Sequence, residues 1–140
     1  MSALDLPPST ESVRVARRFV RAELDDSAVD VEVAVLLVSE VVTNAVLHAR
    51  SPLRVLVAAK FPGARIEVRD GSPVPPRLHS FPTMSATGRG LRLLDQLAVA
   101  WGVQPDDMGK TIWFDVGEPS EDGWEPFAEN DLVKGGGGDL

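Results

Sequence analysis

The chain has no cysteine. That excludes disulfides, thiolate metal sites and a cysteine nucleophile, and it suits a reducing compartment. It opens "MSALDLPPSTES", without a basic stretch followed by an apolar run, so a secretory signal peptide is not expected. An uninterrupted apolar span is also missing. The nearest candidate, Val29 to Ala49, is broken by Asp30, Glu32, Glu40 and Asn44, more polar groups than a membrane span tolerates. These absences predict a soluble, cytoplasmic protein with no membrane association. The basic surplus of a duplex-DNA binder is lacking too: the net charge is −7 and the sequence pI ≈ 4.7, which argues against direct contact with nucleic acid.

What is present suffices for one domain. The 140 residues, 44% of them hydrophobic, can bury an ordinary core. Charge is spread unevenly. Residues 117–140 hold seven acidic residues and one lysine, −6 of the total −7, leaving fourteen acidic and thirteen basic residues in the rest. The chain therefore divides into a folded domain at 1–116 and an acidic, glycine-rich tail at 117–140, in which Trp124 and Phe127 could attach to the body.

Within the domain, "STESVRVARRFVRAEL" places Val13, Ala16, Phe19, Val20 and Leu24 at helical spacing, with Ser9 or Thr10 as N-cap and Glu11 in the first turn. The other face carries Arg14, Arg17, Arg18 and Arg21, either a solvated basic face or a docking surface for an acidic partner. Length and four-residue polar spacing make Val29 to Ala49 a buried helix despite its β-branched residues. "LRVLVAAK" and "RIEVRD", separated by "FPGA", predict a β-hairpin. Gly71 to Thr87, with Pro73, Pro75, Pro76 and Pro82, predicts a long loop of the lid type. "GRGLRLLDQLAVAW" predicts a helix with Leu91, Leu94, Leu97 and Ala98 on one face. A second hairpin, roughly Ala98 to Val103 and Thr111 to Val116, turns through "QPDDMGK". This order predicts an α+β two-layer sandwich, a mixed and mostly antiparallel sheet with helices on one face.

Four short motifs carry chemistry. In "SEVVTNAVLHA", Glu40, Asn44 and His48 lie four apart, which makes one polar stripe on an apolar helix. If buried, its carboxylate and amide need a metal ion, a polar ligand or water; otherwise the stripe faces solvent. In "VRDGSP", Asp70 can accept a hydrogen bond from an amine and Gly71 lets a ring approach the backbone, unless the pair is an ordinary turn. "TGRGL" offers amides at a helix start, favourable to phosphate, unless it is one of the many ordinary glycine-flanked helix starts. "GKT" at Gly109 to Thr111 is not a P-loop, because the required first glycine falls on Gln104; it begins a strand.

The order of these motifs resembles the ATP-binding fold of the gyrase, histidine-kinase and MutL type, and within it most closely the bacterial anti-sigma-factor serine kinases. "SEVVTNAVLHA" is similar to the family's N box, "RDGSP" to its first glycine box and "GRGL" to its second. The resemblance covers roughly Val13 to Val116, and eleven arginines against three lysines suit members from high-GC bacteria. It implies ATP and Mg²⁺ as cofactors. Asn44 would coordinate the metal and Glu40 would act as general base or orient the attacking hydroxyl. Asp70 would accept the adenine amine beside Gly71, with Thr111 supporting that pocket. Gly88, Arg89, Gly90 and Leu91 would hold the phosphates, Arg89 as charge stabiliser. His48 would serve in packing or near the phosphates. In one departure, "DGSPVPP" puts prolines where the family's box has glycines, which implies a stiffer loop.

The function so implied is a Mg²⁺·ATP-dependent serine/threonine protein kinase that phosphorylates an anti-anti-sigma factor and antagonises a sigma factor, with homodimerisation a further implication. Two readings compete with it: a nucleotide-gated binding module without turnover, and an α+β interaction domain that has lost its nucleotide. A histidine kinase is disfavoured, because neither His48 nor His79 lies in a separate phosphoacceptor helix domain.

Overall fold

The computed structural model describes residues 1–60, 62–72 and 92–119. The expected lid loop beyond residue 72, the second glycine box at Gly88 to Leu91 and the tail beyond residue 119 lie outside the described residues. The elements are β1 (Ser2–Leu6), α1 (Glu11–Glu23), α2 (Val31–Asn44), a π-helical turn (Ala45–Ala49), β2 (Leu53–Lys60), β3 (Gly63–Asp70), β4 (Ala100–Asp106) and β5 (Gly109–Val116). Residues 92–97 are helical.

The five strands form one sheet in the order β1-β2-β3-β5-β4, and every pairing is antiparallel. The α+β sandwich expected from the sequence is present. Its first strand was not foreseen: "SALDL" is short and closes on Pro7, yet Ser2 to Leu6 pair with Val57 to Leu53 and form one edge. At the other edge, β4 carries Pro105, tolerated because an edge strand leaves one row of N–H groups unpaired. The second hairpin also turns more tightly than "QPDDMGK" suggests. Asp106 pairs with Gly109, and the Met108 N–H donates to Asp106 Oδ1 at 2.8 Å, so a side chain closes a two-residue turn.

Period-two alternation decides the two faces. Val55 and Val57 of β2, Ala64, Ile66 and Val68 of β3, and Ile112, Phe114 and Val116 of β5 are buried on the inner face, and the register sets Ile66 opposite Phe114 and Val68 opposite Ile112. The outer face carries ion pairs: Arg54 with Asp5, Arg69 with Asp106, and Arg65 and Lys60 with Asp115. The helices supply the second layer. α1 starts where expected, but Thr10 makes no side-chain cap; instead Ser12 is buried, and its hydroxyl donates to the Pro7 carbonyl at 2.6 Å. Ala16, Val20 and Leu24 point inward. Val31–Ala49 is apolar and long enough to cross a membrane, but here it is core helix, with Val33, Leu37, Val38, Val41 and Val42 buried. In the segment 92–97, Leu93 and Leu94 are buried in the same core.

Gly109 locks one end of this sheet. A Cβ there would stand 2.0 Å from the Asp70 carbonyl oxygen and 2.9 Å from the Gly71 Cα, and backbone cannot yield as a flexible side chain can. Gly109→Ala is therefore expected to reduce stability by about 1–3 kcal/mol, read from the midpoint of urea unfolding. A loss below ~0.5 kcal/mol would show that this end is loosely held.

Candidate functional site

The direction of α2 determines which side chains meet. Asp30 caps its N-terminus through Oδ1, which accepts the Val33 N–H at 3.2 Å, while the Asp30 N–H donates to the Gly117 carbonyl just beyond β5 at 2.9 Å. The helix packs on β3 and β5 and so runs antiparallel to β5. Its C-terminal end, with Asn44, points toward the start of β5 and the end of β3. A second bond ties the two regions: Ser51 Oγ accepts the Gly71 N–H at 2.7 Å.

Local backbone chemistry shapes that end of α2. The Thr43 hydroxyl donates to the Ser39 carbonyl at 2.7 Å, a back-bond that bends helices. From Ala45 the coil widens into a π turn, closed by the Arg50 N–H on the Ala45 carbonyl at 3.3 Å, with Arg50 left-handed at φ 55. Wider turns shift the following residues around the axis, and such turns recur at functional sites. The expected single stripe is consequently split: Asn44 is buried, Glu40 half-buried with its Oε1 in the interior, and His48 exposed on the π turn.

Asn44 is the residue that demands explanation. It is 6% exposed, and neither its Oδ1 nor its Nδ2 has a hydrogen-bond partner among the described residues. A buried amide left so is disfavoured by about 1–3 kcal/mol, which is what an atom reserved for a ligand or metal looks like before it binds.

Asp70 is likewise buried, at 3%, but it is satisfied. Lys110 Nζ lies 2.9 Å from its Oδ2 and 3.1 Å from its Oδ1, and Oδ1 also accepts the Ser72 N–H at 2.8 Å. Lys110, itself 6% exposed, was not foreseen as a site residue. Parity with Ile112 puts Lys110 on the inner row, but its place opposite Asp70 appears only in the β3–β5 register. The same parity corrects the place of Thr111. Expected beside the Asp70 pocket, it points to the outer face, where its hydroxyl accepts from Arg69 Nη1 at 3.3 Å. Gly71 also differs in its reason: a Cβ there would meet Ser51 Oγ at 3.0 Å, so on that side the glycine makes room for Ser51. Gly88, Arg89, Gly90 and Leu91 lie outside the described residues. An open cavity of about 370 Å³ lies beside Asp70 and Gly71, but Asp5, Arg54 and Arg69 of the outer face share its wall with Pro52, Leu53 and Met108, and Asn44 is not among its lining residues.

Removing Lys110 leaves Asp70 as an uncompensated buried carboxylate. Lys110→Met is expected to cost about 3–5 kcal/mol of stability in chemical denaturation, and Asp70→Asn combined with it should return a large part of the loss. A single-variant loss under ~1 kcal/mol would mean the pair is solvated rather than structural.

Nearby, the Arg69 guanidinium and the Met108 N–H hold the Asp106 carboxyl down at about 2. A depressed carboxylate contributes stability that is complete above its unfolded value, about 3.9, and is lost as pH falls through the folded value. Unfolding followed between pH 5 and 2 should show stability falling below about pH 4, and Asp106→Asn should flatten that slope. An unchanged slope would assign acid sensitivity to the other carboxylates.

With this geometry in place, comparison with known proteins is informative. Residues 6–116 match the profile of the histidine kinase-like ATPase domain. No curated protein matches the chain in sequence. The matched span takes in α1, α2 and the strands β2 to β5 that bring Asn44 to the Asp70 end of the sheet, and the chain belongs to the histidine kinase-like ATPase domain family.

Proposed function

We propose that this ATP-binding domain is a Mg²⁺-dependent serine/threonine protein kinase of the anti-sigma-factor type, acting in the cytoplasm on an anti-anti-sigma partner and thereby antagonising a sigma factor. The observation that carries the reading is the buried carboxamide of Asn44, which has no hydrogen-bond partner among the described residues. A neutral oxygen at a helix end suits a hard cation that keeps several waters and phosphate oxygens. Among the described residues no group of three His, Asp or Glu could form a metal cage, so Asn44 with phosphate oxygens would hold the ion.

Mg²⁺·ATP supplies the phosphoryl group. Asp70 would take the adenine amine on a carboxylate that Lys110 and Ser72 already orient. Glu40, one turn before Asn44, would accept the proton as the partner's serine oxygen bonds to the γ-phosphorus and the bond to the β-phosphate oxygen breaks, releasing ADP. A nucleotide-gated binding module without turnover is the second reading, favoured by the prolines that follow Ser72.

Asn44→Ala tests the assignment in two directions. It removes a buried amide without partners among the described residues, so the ligand-free protein should be no less stable, while the rise in melting temperature given by ATP with Mg²⁺ should vanish. An undiminished rise removes Asn44 from the site. Transfer of labelled phosphate to a serine-bearing partner, lost in Glu40→Ala, distinguishes kinase from binding module; binding without transfer selects the latter.

A further inference from the structure

The exposed side of α1 is a strip of like charge. Arg14, Arg17, Arg18 and Arg21 fall three and four residues apart, a spacing that places them on one helix face, where like charges are mutually destabilising. With Val35 of α2 they line a groove of about 470 Å³. Two of them are partly neutralised: Arg14 pairs with Glu11 and Arg21 with Glu32, all four side chains well exposed. Arg17 and Arg18 make no ion pair among the described residues. A helix face so charged is matched by an anionic occupant of comparable length.

The chain itself carries one, and it leaves the body at the right place. Residues 117–140 hold Glu118, Glu121, Asp122, Glu125, Glu129, Asp131 and Asp139 against a single Lys134. Their starting point is fixed: the Gly117 carbonyl accepts the Asp30 N–H at 2.9 Å. Asp30 caps α2, and Glu32, two residues on, is the partner of Arg21 at 2.8 Å. The tail thus departs beside the Arg21 end of the strip. From Arg14 to Arg21 a helix advances only ~10 Å, and an extended chain covers up to ~3.5 Å per residue, so the segment 118–125 reaches the whole strip. Because the two are tethered, docking proceeds at a high effective concentration and needs little intrinsic affinity.

We infer that the acidic tail docks in cis on the arginine face of α1, with its carboxylates over Arg17 and Arg18 and its apolar side chains near Val35. This is an internal occupant of a surface that an acidic partner protein would otherwise use. The inference stands independently of the kinase assignment, since it involves neither Asn44 nor Asp70.

The absence of cysteine gives a clean test on the full chain. A nitroxide placed at Ala128→Cys should broaden the backbone amides of residues 14–21 and of Val35, leaving those of the outer sheet face, such as Glu67, unaffected. The broadening should be independent of protein concentration and should weaken several-fold between low and high salt, because exposed charges are screened beyond ~10 Å at 0.1 M ionic strength. It should be lost in Arg17→Glu with Arg18→Glu, and restored when Glu121→Lys, Asp122→Lys and Glu125→Lys are added. Absence of broadening on α1 in the otherwise natural chain overturns the inference. So does broadening that grows with concentration, which would place the tail on a second copy, or broadening that survives the charge reversal.

Discussion

The burial of α2 is the constraint on which the rest of the structure depends. It packs beside α1 and against β3 and β5 of the sheet, and Leu37, Val41 and Asn44 follow each other at four and three residues, one helical face. The first two are completely buried, so the third must be buried as well. Rotating the helix to wet the carboxamide would expose Leu37 and Val41, at about 1.5–3 kcal/mol each, against about 1–3 kcal/mol for one unsatisfied amide. The apolar rows win. The fold holds an unfavourable polar group in place with energy drawn from the core.

A second constraint meets the first at the same end of the molecule. The inner row of the sheet is hydrophobic along β3 and β5 until its last pair, where Val68 and Ile112 give way to Asp70 and Lys110. Alternation carries both charges into the interior, and each is tolerated because the other is there. Asp70 is therefore not an empty acceptor awaiting an amine. One oxygen already accepts from Lys110 and from the Ser72 amide, the other from Lys110. A ligand amine would share a carboxylate whose orientation is already fixed.

Much of this was legible in the sequence, for reasons tied to periodicity. The long apolar helix and the two hairpins followed from spacing, which left open whether Asn44 faced the core or solvent, and the order of the motifs led to the family. What escaped was set by contacts distant in the chain. β1 is five residues long and gains its pairing only when β2 is beside it. Lys110 reads as an ordinary strand-start lysine until the β3–β5 register is known. Thr111, which the resemblance implied beside the Asp70 pocket, lies on the outer face because its neighbour Lys110 takes the inner one and adjacent residues in a strand cannot share a face. The stripe of Glu40, Asn44 and His48 assumed a continuous α-helix, and no residue in "NAVLHA" announces a π turn.

That π turn explains why the end of α2 can be both core and binding wall. An α-helix continued through Ala49 would keep His48 above Asn44 and carry the chain onward along the same axis. The wider coil and the left-handed Arg50 reverse the chain instead, at a conformational cost of about 1–2 kcal/mol for a non-glycine residue in that region. The reversal delivers Ser51 to Gly71, where its hydroxyl oxygen accepts the glycine N–H and leaves no room for a Cβ. The turn after α2 and the end of β3 are thereby joined through one side chain and one amide. Any movement of Gly71 must break that bond or carry Ser51 along, so the end of α2 and the end of β3 are mechanically coupled within the domain.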